Sequence, residues 1–269
     1  TGCEVVDVTS DTDTGLAKVQ WTGDDGRRGG TALTRACVLA VGAWAPHILR
    51  TCTATRSTHW ASLPLAPKKV RSTFWRVKPG VDVSKLPVVI DYATDSLAYC
   101  LPDMASGLVK VACHTGPMFE DADARDDQDD APMTRPKVDA FIAQTLAHSL
   151  DVGAGPIKEE HCMYTMTPDE GFVLDWMPLG NRGRLVVGAG FSGHGFKLAP
   201  WVGEMLAGMA LRDVHASSAS TFLGTTQPSL WQRYMLNPEA YDATPFLSAR
   251  RFGSFDAPVV MGRTASASD

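Results

Sequence analysis

Three short stretches of this sequence bring together residue types that can do chemistry. The first, Glu160-His-Cys-Met-Tyr-Thr-Met-Thr-Pro-Asp-Glu-Gly-Phe-Val-Leu-Asp175, sets one cysteine, Cys162, just ahead of a Thr-Pro-Asp turn. The second, Gly190-Phe-Ser-Gly-His-Gly-Phe-Lys197, reads as a strand-to-helix turn rich in glycine that also carries a histidine and a lysine. Such a turn aims bare amide N–H groups and the positive end of a helix at whatever lies before it, which favours negative charge there. The third is Val109-Lys-Val-Ala-Cys-His114. In an extended strand Lys110, Ala112 and His114 share one face, so a cation stands on the same side as a group that titrates near neutrality.

Two other motifs invite sharper readings and lose them. Gly188-Ala-Gly-Phe-Ser-Gly193 matches G-x-G-x-x-G, follows an apolar strand and precedes a helix, with Asp213 downstream. A dinucleotide fingerprint needs a βαβ unit with the acidic residue closing the second strand. Here the helix runs into Val214-His-Ala-Ser-Ser-Ala-Ser, which is no buried parallel strand, so a nicotinamide enzyme built on it is set aside. The run Glu120-Asp-Ala-Asp-Ala-Arg-Asp-Asp-Gln-Asp-Asp130 lacks the glycine and the glutamate of an EF-hand and reads as a solvated acidic loop.

The elements that must position these residues are legible in outline. Residues 3–8, 16–22 and 31–41 are rich in β-branched side chains and separated by turn clusters, as in a three-stranded meander. The apolar run 36–44 reads as a strand covered on both faces, with a short helix at 43–50. Strands follow at 68–77, 87–91, 97–101 and 108–113, then a helix at 137–150 with Val138, Phe141, Ile142, Leu146 and Leu150 at helical spacing. Further strands are expected at 157–166, 172–174 and 184–189, and a helix at 195–211. Residues 212–269 read as a loosely packed extension with one helix near 229–236 and a disordered end.

Composition bounds the class. The 269 residues are 44% hydrophobic and 20% charged, enough for a normal core. A net charge of -5 and a pI near 5.8 give no reason to expect nucleic acid or an anionic membrane as partner. No apolar run reaches membrane-spanning length. The six cysteines are scattered without a C-x-x-C pair, so Cys3, Cys37, Cys52, Cys100 and Cys113 read as reduced buried thiols. No secretory signal opens the chain and no peroxisomal tripeptide closes it, so an intracellular protein, cytoplasmic or peroxisomal, is expected.

Taken together, the Cys162 and Gly190–Lys197 segments resemble the C-terminal part of the monomeric sarcosine oxidase family, FAD-dependent enzymes of the D-amino acid oxidase superfamily. Ala40-Val-Gly-Ala-Trp-Ala45 is similar to the strand end that reaches the FAD there, and Ala98-Tyr-Cys-Leu-Pro102 with Val109–His114 to the sheet over the flavin. The resemblance spans about residues 1–212. It implies an α/β fold of α+β character: a partial Rossmann-like FAD-binding domain (1–50, resumed at 156–212), a mainly antiparallel substrate domain (51–155) and an extension (213–269).

The resemblance also implies roles. Cys162 corresponds to the cysteine joined to the flavin, Lys110 to the lysine that activates dioxygen, and Lys197 to the lysine that pairs with a substrate carboxylate. Tyr99, His114 and His194 correspond to pocket residues. Gly42, Trp44, Gly190, Ser192, Gly193 and Gly195 correspond to positions against the cofactor, where small residues let the backbone approach the ring. Each has a plain alternative: an inert thiol, a surface lysine, a satisfied core side chain. The implied function is oxidation of a secondary amino acid, N-methyl or cyclic, by a monomer that uses covalent FAD and dioxygen to give an imine and hydrogen peroxide. The family's βαβ unit for the ADP moiety has no counterpart here, and the chain starts in mid-pattern without methionine. A catalytically incomplete fragment, or a flavin dehydrogenase with a protein acceptor, therefore remains open.

Overall fold

The structure is a computed structural model that describes residues 2–23, 29–94, 96–127 and 129–211. In chain order these form β1 (Cys3–Ser10), β2 (Ala17–Gly23), β3 (Gly30–Thr34), β4 (Cys37–Leu39), α1 (Ala45–Thr51), β5 (Ala66–Arg76), β6 (Val89–Ile90), β7 (Ala98–Asp103), β8 (Leu108–Cys113), α2 (Ala131–Phe141), β9 (Lys158–Met166), β10 (Val173–Leu179), β11 (Gly183–Ala189) and α3 (Ala199–Leu211). The chain divides into two compact units, Thr1–Leu65 with Thr165–Asp269, and Ala66–Tyr164. The sequence puts the junctions near 50 and 155. The later position of the second follows from β9, which is hydrogen-bonded to β5 and continues the second unit's sheet. The expected helix near 229–236 and the extension beyond 211 lie outside the described residues.

In the first unit β1, β2 and β3 form the expected antiparallel meander. Asp11 fixes its first turn, its carboxylate accepting from the amide and the hydroxyl of Thr14. The run 31–41 is not one strand. After β3 the Thr34 hydroxyl donates to the Ala36 carbonyl at 3.0 Å, the chain turns, and β4 joins another sheet. That sheet has the order β10-β11-β4, with β11 antiparallel to β10 and parallel to β4. The expectation that the 36–44 run is buried on both faces fails at β4, an edge strand whose Leu39 is buried while Val38 is exposed.

The strand with two covered faces is β11. Leu185 and Val187 pack with Leu49, Trp60 and Leu65, while Val186 faces Val202, Met205 and Leu206 of α3. Gly188 lets α3 come close, since a Cβ there would lie 2.8 Å from Leu206 Cδ1. The G-x-G-x-x-G sequence thus closes a strand–helix packing contact.

The second unit is a five-stranded sheet in the order β6-β7-β8-β5-β9, with β6, β7, β8 and β5 antiparallel in turn. One face carries Trp75, Cys100, Val109, Val111 and Cys113 against Val138, Phe141, Ile142 and Leu146. The helix begins at Ala131, six residues before the expected start, and passes into a π-helical turn at Ile142–Leu146. Pro132 is at home in a first turn, and Pro136 is accommodated inside the helix. The acidic stretch is not wholly a solvated loop: residues Ala122–Asp127 form a 3-10 turn and Asp130 is fully buried. All six cysteines are free. Cys52, Cys100 and Cys113 are buried as expected, but Cys3 is exposed and Cys37 half-buried.

Candidate functional site

Strand alternation sorts the second unit's side chains onto two faces. Odd residues of β8 point to α2, which leaves Lys110, Ala112 and His114 on the opposite face. Register then sets their neighbours. Lys110 pairs with Phe74 and Leu101, and Ala112 with Ser72 and Tyr99. The even residues of β9 belong to the same face, because the Lys158 ammonium sits 5.4 Å over the Phe74 ring. Cys162 and Tyr164 follow it there.

The expected residues Tyr99, Lys110, His114 and Cys162 therefore share one sheet face, each half-buried. The Tyr99 and His114 rings lie 5.2 Å apart, and His114 lies 5.6 Å from Tyr164. The two tyrosine side chains lie close enough to influence each other, and Cys162 lies near both. Burial, above all, pushes both phenols above their ordinary value, with the neighbouring Tyr99 adding to the rise at Tyr164. Both hydroxyls thus keep their protons at neutral pH.

Tyr164 is a site residue the sequence reading passed over. Its signal was available, since in a strand Cys-x-Tyr puts both side chains on one face.

The first unit holds the glycine turn. After β11 the backbone is left-handed at Gly190 (φ 67°), Ser192 (φ 50°) and Gly193 (φ 82°). Ser192 is the costly member, because a β-carbon disfavours that region. It is held by its amide on the Thr165 carbonyl at 2.9 Å, by its hydroxyl on the Gly190 carbonyl at 3.1 Å, and by the Thr167 amide, which donates to that hydroxyl at 3.3 Å. Gly190 is required by space as well, since a Cβ would lie 2.6 Å from Thr167 Cγ2.

His194 is exposed, stacks on Phe172 at 5.0 Å and meets the Glu170 carbonyl through Nε2 at 3.0 Å. A carbonyl only accepts, so Nε2 carries a proton. Gly195 precedes a 3-10 turn, Phe196–Leu198, that holds Lys197 with its side chain exposed. Gly42 (φ 56°) follows β4 and needs glycine for its backbone alone, because a Cβ there meets nothing within 4 Å. Trp44, 40% exposed, closes that turn.

The implied FAD can be tested against these residues. Its flavin ring is flat and gathers negative charge on reduction. A free half-buried thiol, an ammonium and two neutral phenols on one sheet face suit such a ring. The fit stops there. β4 and β11 are a parallel pair, but among the described residues no βαβ unit cradles a pyrophosphate. Among them also no group of His, Cys, Asp or Glu could hold a metal ion, and no helix is long and apolar enough to cross a membrane.

The family profile of FAD-dependent oxidoreductases (DAO) matches residues 1–209. A probable sarcosine oxidase of Arabidopsis thaliana is 34% identical over 184 residues, which cover 66% of this chain and 41% of that protein. The peroxisomal sarcosine oxidase of Homo sapiens is 37% identical over 132 residues, 48% of this chain and 32% of that one. The chain thus spans less than half the length of these relatives. Among solved structures, glycine oxidase from Geobacillus kaustophilus superposes with a TM-score of 0.53 at 20% identity, covering 78% of this chain and 48% of that one, a likeness of fold.

Proposed function

The chain belongs to the DAO family of FAD-dependent oxidoreductases, and on that premise we propose that its activity is that of a sarcosine-oxidase-like amine oxidase. The substrate is a secondary amino acid, N-methyl or cyclic, and the products are an imine and hydrogen peroxide. The observation that carries this reading is the single sheet face shared by Cys162, Lys110, Tyr99, His114 and Tyr164.

Bound FAD would supply the two-electron oxidation of the amine, with dioxygen as the final acceptor. Cys162, a free thiol, would tether it as a thioether. The Lys110 ammonium would stabilise negative charge developing on dioxygen, an electrostatic effect of the oxyanion-hole kind. Tyr99 and Tyr164, kept neutral, offer hydroxyls rather than anions to a bound substrate. His194 donates its Nε2 proton to the Glu170 carbonyl, which fixes the ring's orientation. Lys197, with its exposed ammonium, would pair with the substrate carboxylate.

The test is denaturing-gel fluorescence of the protein expressed from its whole reading frame. Flavin fluorescence migrates with the wild-type polypeptide and is lost in Cys162→Ser; a dark wild-type band refutes the tether. A second reading, that the 269-residue chain turns nothing over by itself, is favoured by the missing βαβ unit among the described residues. It predicts that this chain, purified with excess FAD, retains no yellow chromophore.

A further inference from the structure

On the α2 face of the second unit's sheet lies a charge cluster that the proposed function leaves unused. Asp130, fully buried at the head of α2, accepts two hydrogen bonds from the Arg71 guanidinium, at 2.9 and 3.0 Å, and faces the Lys69 ammonium at 3.5 Å. Arg71 also pairs with Glu159 of β9 and lies 3.5 Å from Asp129. His161 stands two residues beyond Glu159 on the same face of β9. Its Nε2 is 3.5 Å from Asp130 Oδ1, and its Nδ1 is 3.8 Å from Asp126 Oδ1. That Nε2 is buried and forms no hydrogen bond.

Both ring nitrogens thus face carboxylate oxygens. A neutral imidazole carries one N–H, so either neutral tautomer turns a lone pair on a carboxylate. Only the doubly protonated ring offers a proton to each. The surrounding charges agree. Asp126, Asp129, Asp130 and Glu159 stand against Lys69, Arg71 and Arg125, the last paired to Asp126. A cavity lined by Arg71 and Glu159 also carries Arg135 and Asp139 of α2, one charge of each sign.

We propose that His161 is a positioning residue whose protonation closes a clasp between Asp126 and Asp130 on one side and β9 on the other, one residue before Cys162. The consequence at Cys162 rests on the function proposed above; the clasp itself needs no flavin. Hydrogen–deuterium exchange of peptide 158–164 in the 269-residue chain tests it, at pH 5.5 and pH 8 and corrected for intrinsic exchange rates. Wild type exchanges about tenfold more slowly at pH 5.5, the size of one charge-assisted hydrogen bond. His161→Gln exchanges equally at both values, His161→Arg slowly at both, and peptide 108–113 of β8 is unchanged throughout.

Equal wild-type rates at the two pH values, or a tenfold ratio that survives in His161→Gln, overturns the proposal. Should His161→Gln unfold, wild type against His161→Arg decides at pH 8. Loss of gel fluorescence with the pH ratio intact would sink the flavin reading alone.

Discussion

Replacing Gly190 with alanine acts on the glycine turn in two separable ways. The residue sits at φ 67°, where a β-carbon costs roughly 1–2 kcal/mol. The new methyl would also lie 2.6 Å from Thr167 Cγ2 and 3.2 Å from Leu65 Cδ2, an overpacking worth about 1–3 kcal/mol. Gly190→Ala should therefore destabilise its unit by about 2–5 kcal/mol. Thr167→Ser separates the terms, because it removes Cγ2 and keeps the hydroxyl that donates to the Gly171 carbonyl at 2.8 Å. In the double variant the 2.6 Å clash is gone, leaving the backbone cost, roughly 1–2 kcal/mol, and the milder 3.2 Å contact with Leu65. Urea unfolding read by tryptophan fluorescence suits the measurement, since Trp21, Trp44, Trp60, Trp176 and Trp201 all lie in the same unit as Gly190. A Gly190→Ala variant within about 0.5 kcal/mol of wild type, the range of an inconsequential surface change, would refute the reasoning. So would strict additivity with Thr167→Ser.

Asp130→Asn should lower stability by about 3–5 kcal/mol at neutral pH, because Lys69 and Arg71 are left charged without their buried partner. Burial pushes the Asp130 carboxyl up, but Arg71, by hydrogen bond and charge, outweighs it with Lys69 and holds it below the ordinary range. A depressed folded-state value gives stability that is present above the unfolded value of about 3.9 and lost as the pH falls below it. The acid limb of Tm against pH should therefore flatten in the variant; an unchanged limb counts against the pairing. In an alkaline titration followed at 295 nm, Tyr99→Phe and Tyr164→Phe should remove absorbance from the late phase only, since both phenols are raised. Loss from the early phase would show them solvated. Lys110→Met should slow reoxidation by dioxygen far more than reduction by amine, and equal slowing in stopped-flow traces would remove its proposed role.

What the sequence revealed of this chain depended on how local the cause was. The β8 strand and the shared face of Lys110, Ala112 and His114 follow from alternation, and residues 108–113 form that strand. The break between β3 and β4 was hidden, because no glycine or proline marks Arg35 and Ala36 and one threonine hydroxyl makes the turn. The start of α2 at Ala131 was hidden by Pro136, whose type argues against a helix. Asp130 looked solvated within its acidic run. Its burial is set by Lys69 and Arg71, some sixty residues earlier, which no local composition reports. The gathering of Tyr99 and His114 with Tyr164 likewise required the strand order, since β9 joins the sheet beside β5 rather than beside β8.

Strand β9 is read from both sides at once, Glu159 and His161 engaged behind the sheet and Cys162 and Tyr164 before it. Its phase is therefore fixed by two unrelated chemistries. Deleting one residue between 159 and 162 would exchange their audiences, turning the sulfur toward the carboxylates and a charged side chain toward the phenols. A single-residue insertion or deletion in this strand would therefore disturb both faces at once, whereas a point substitution touches one.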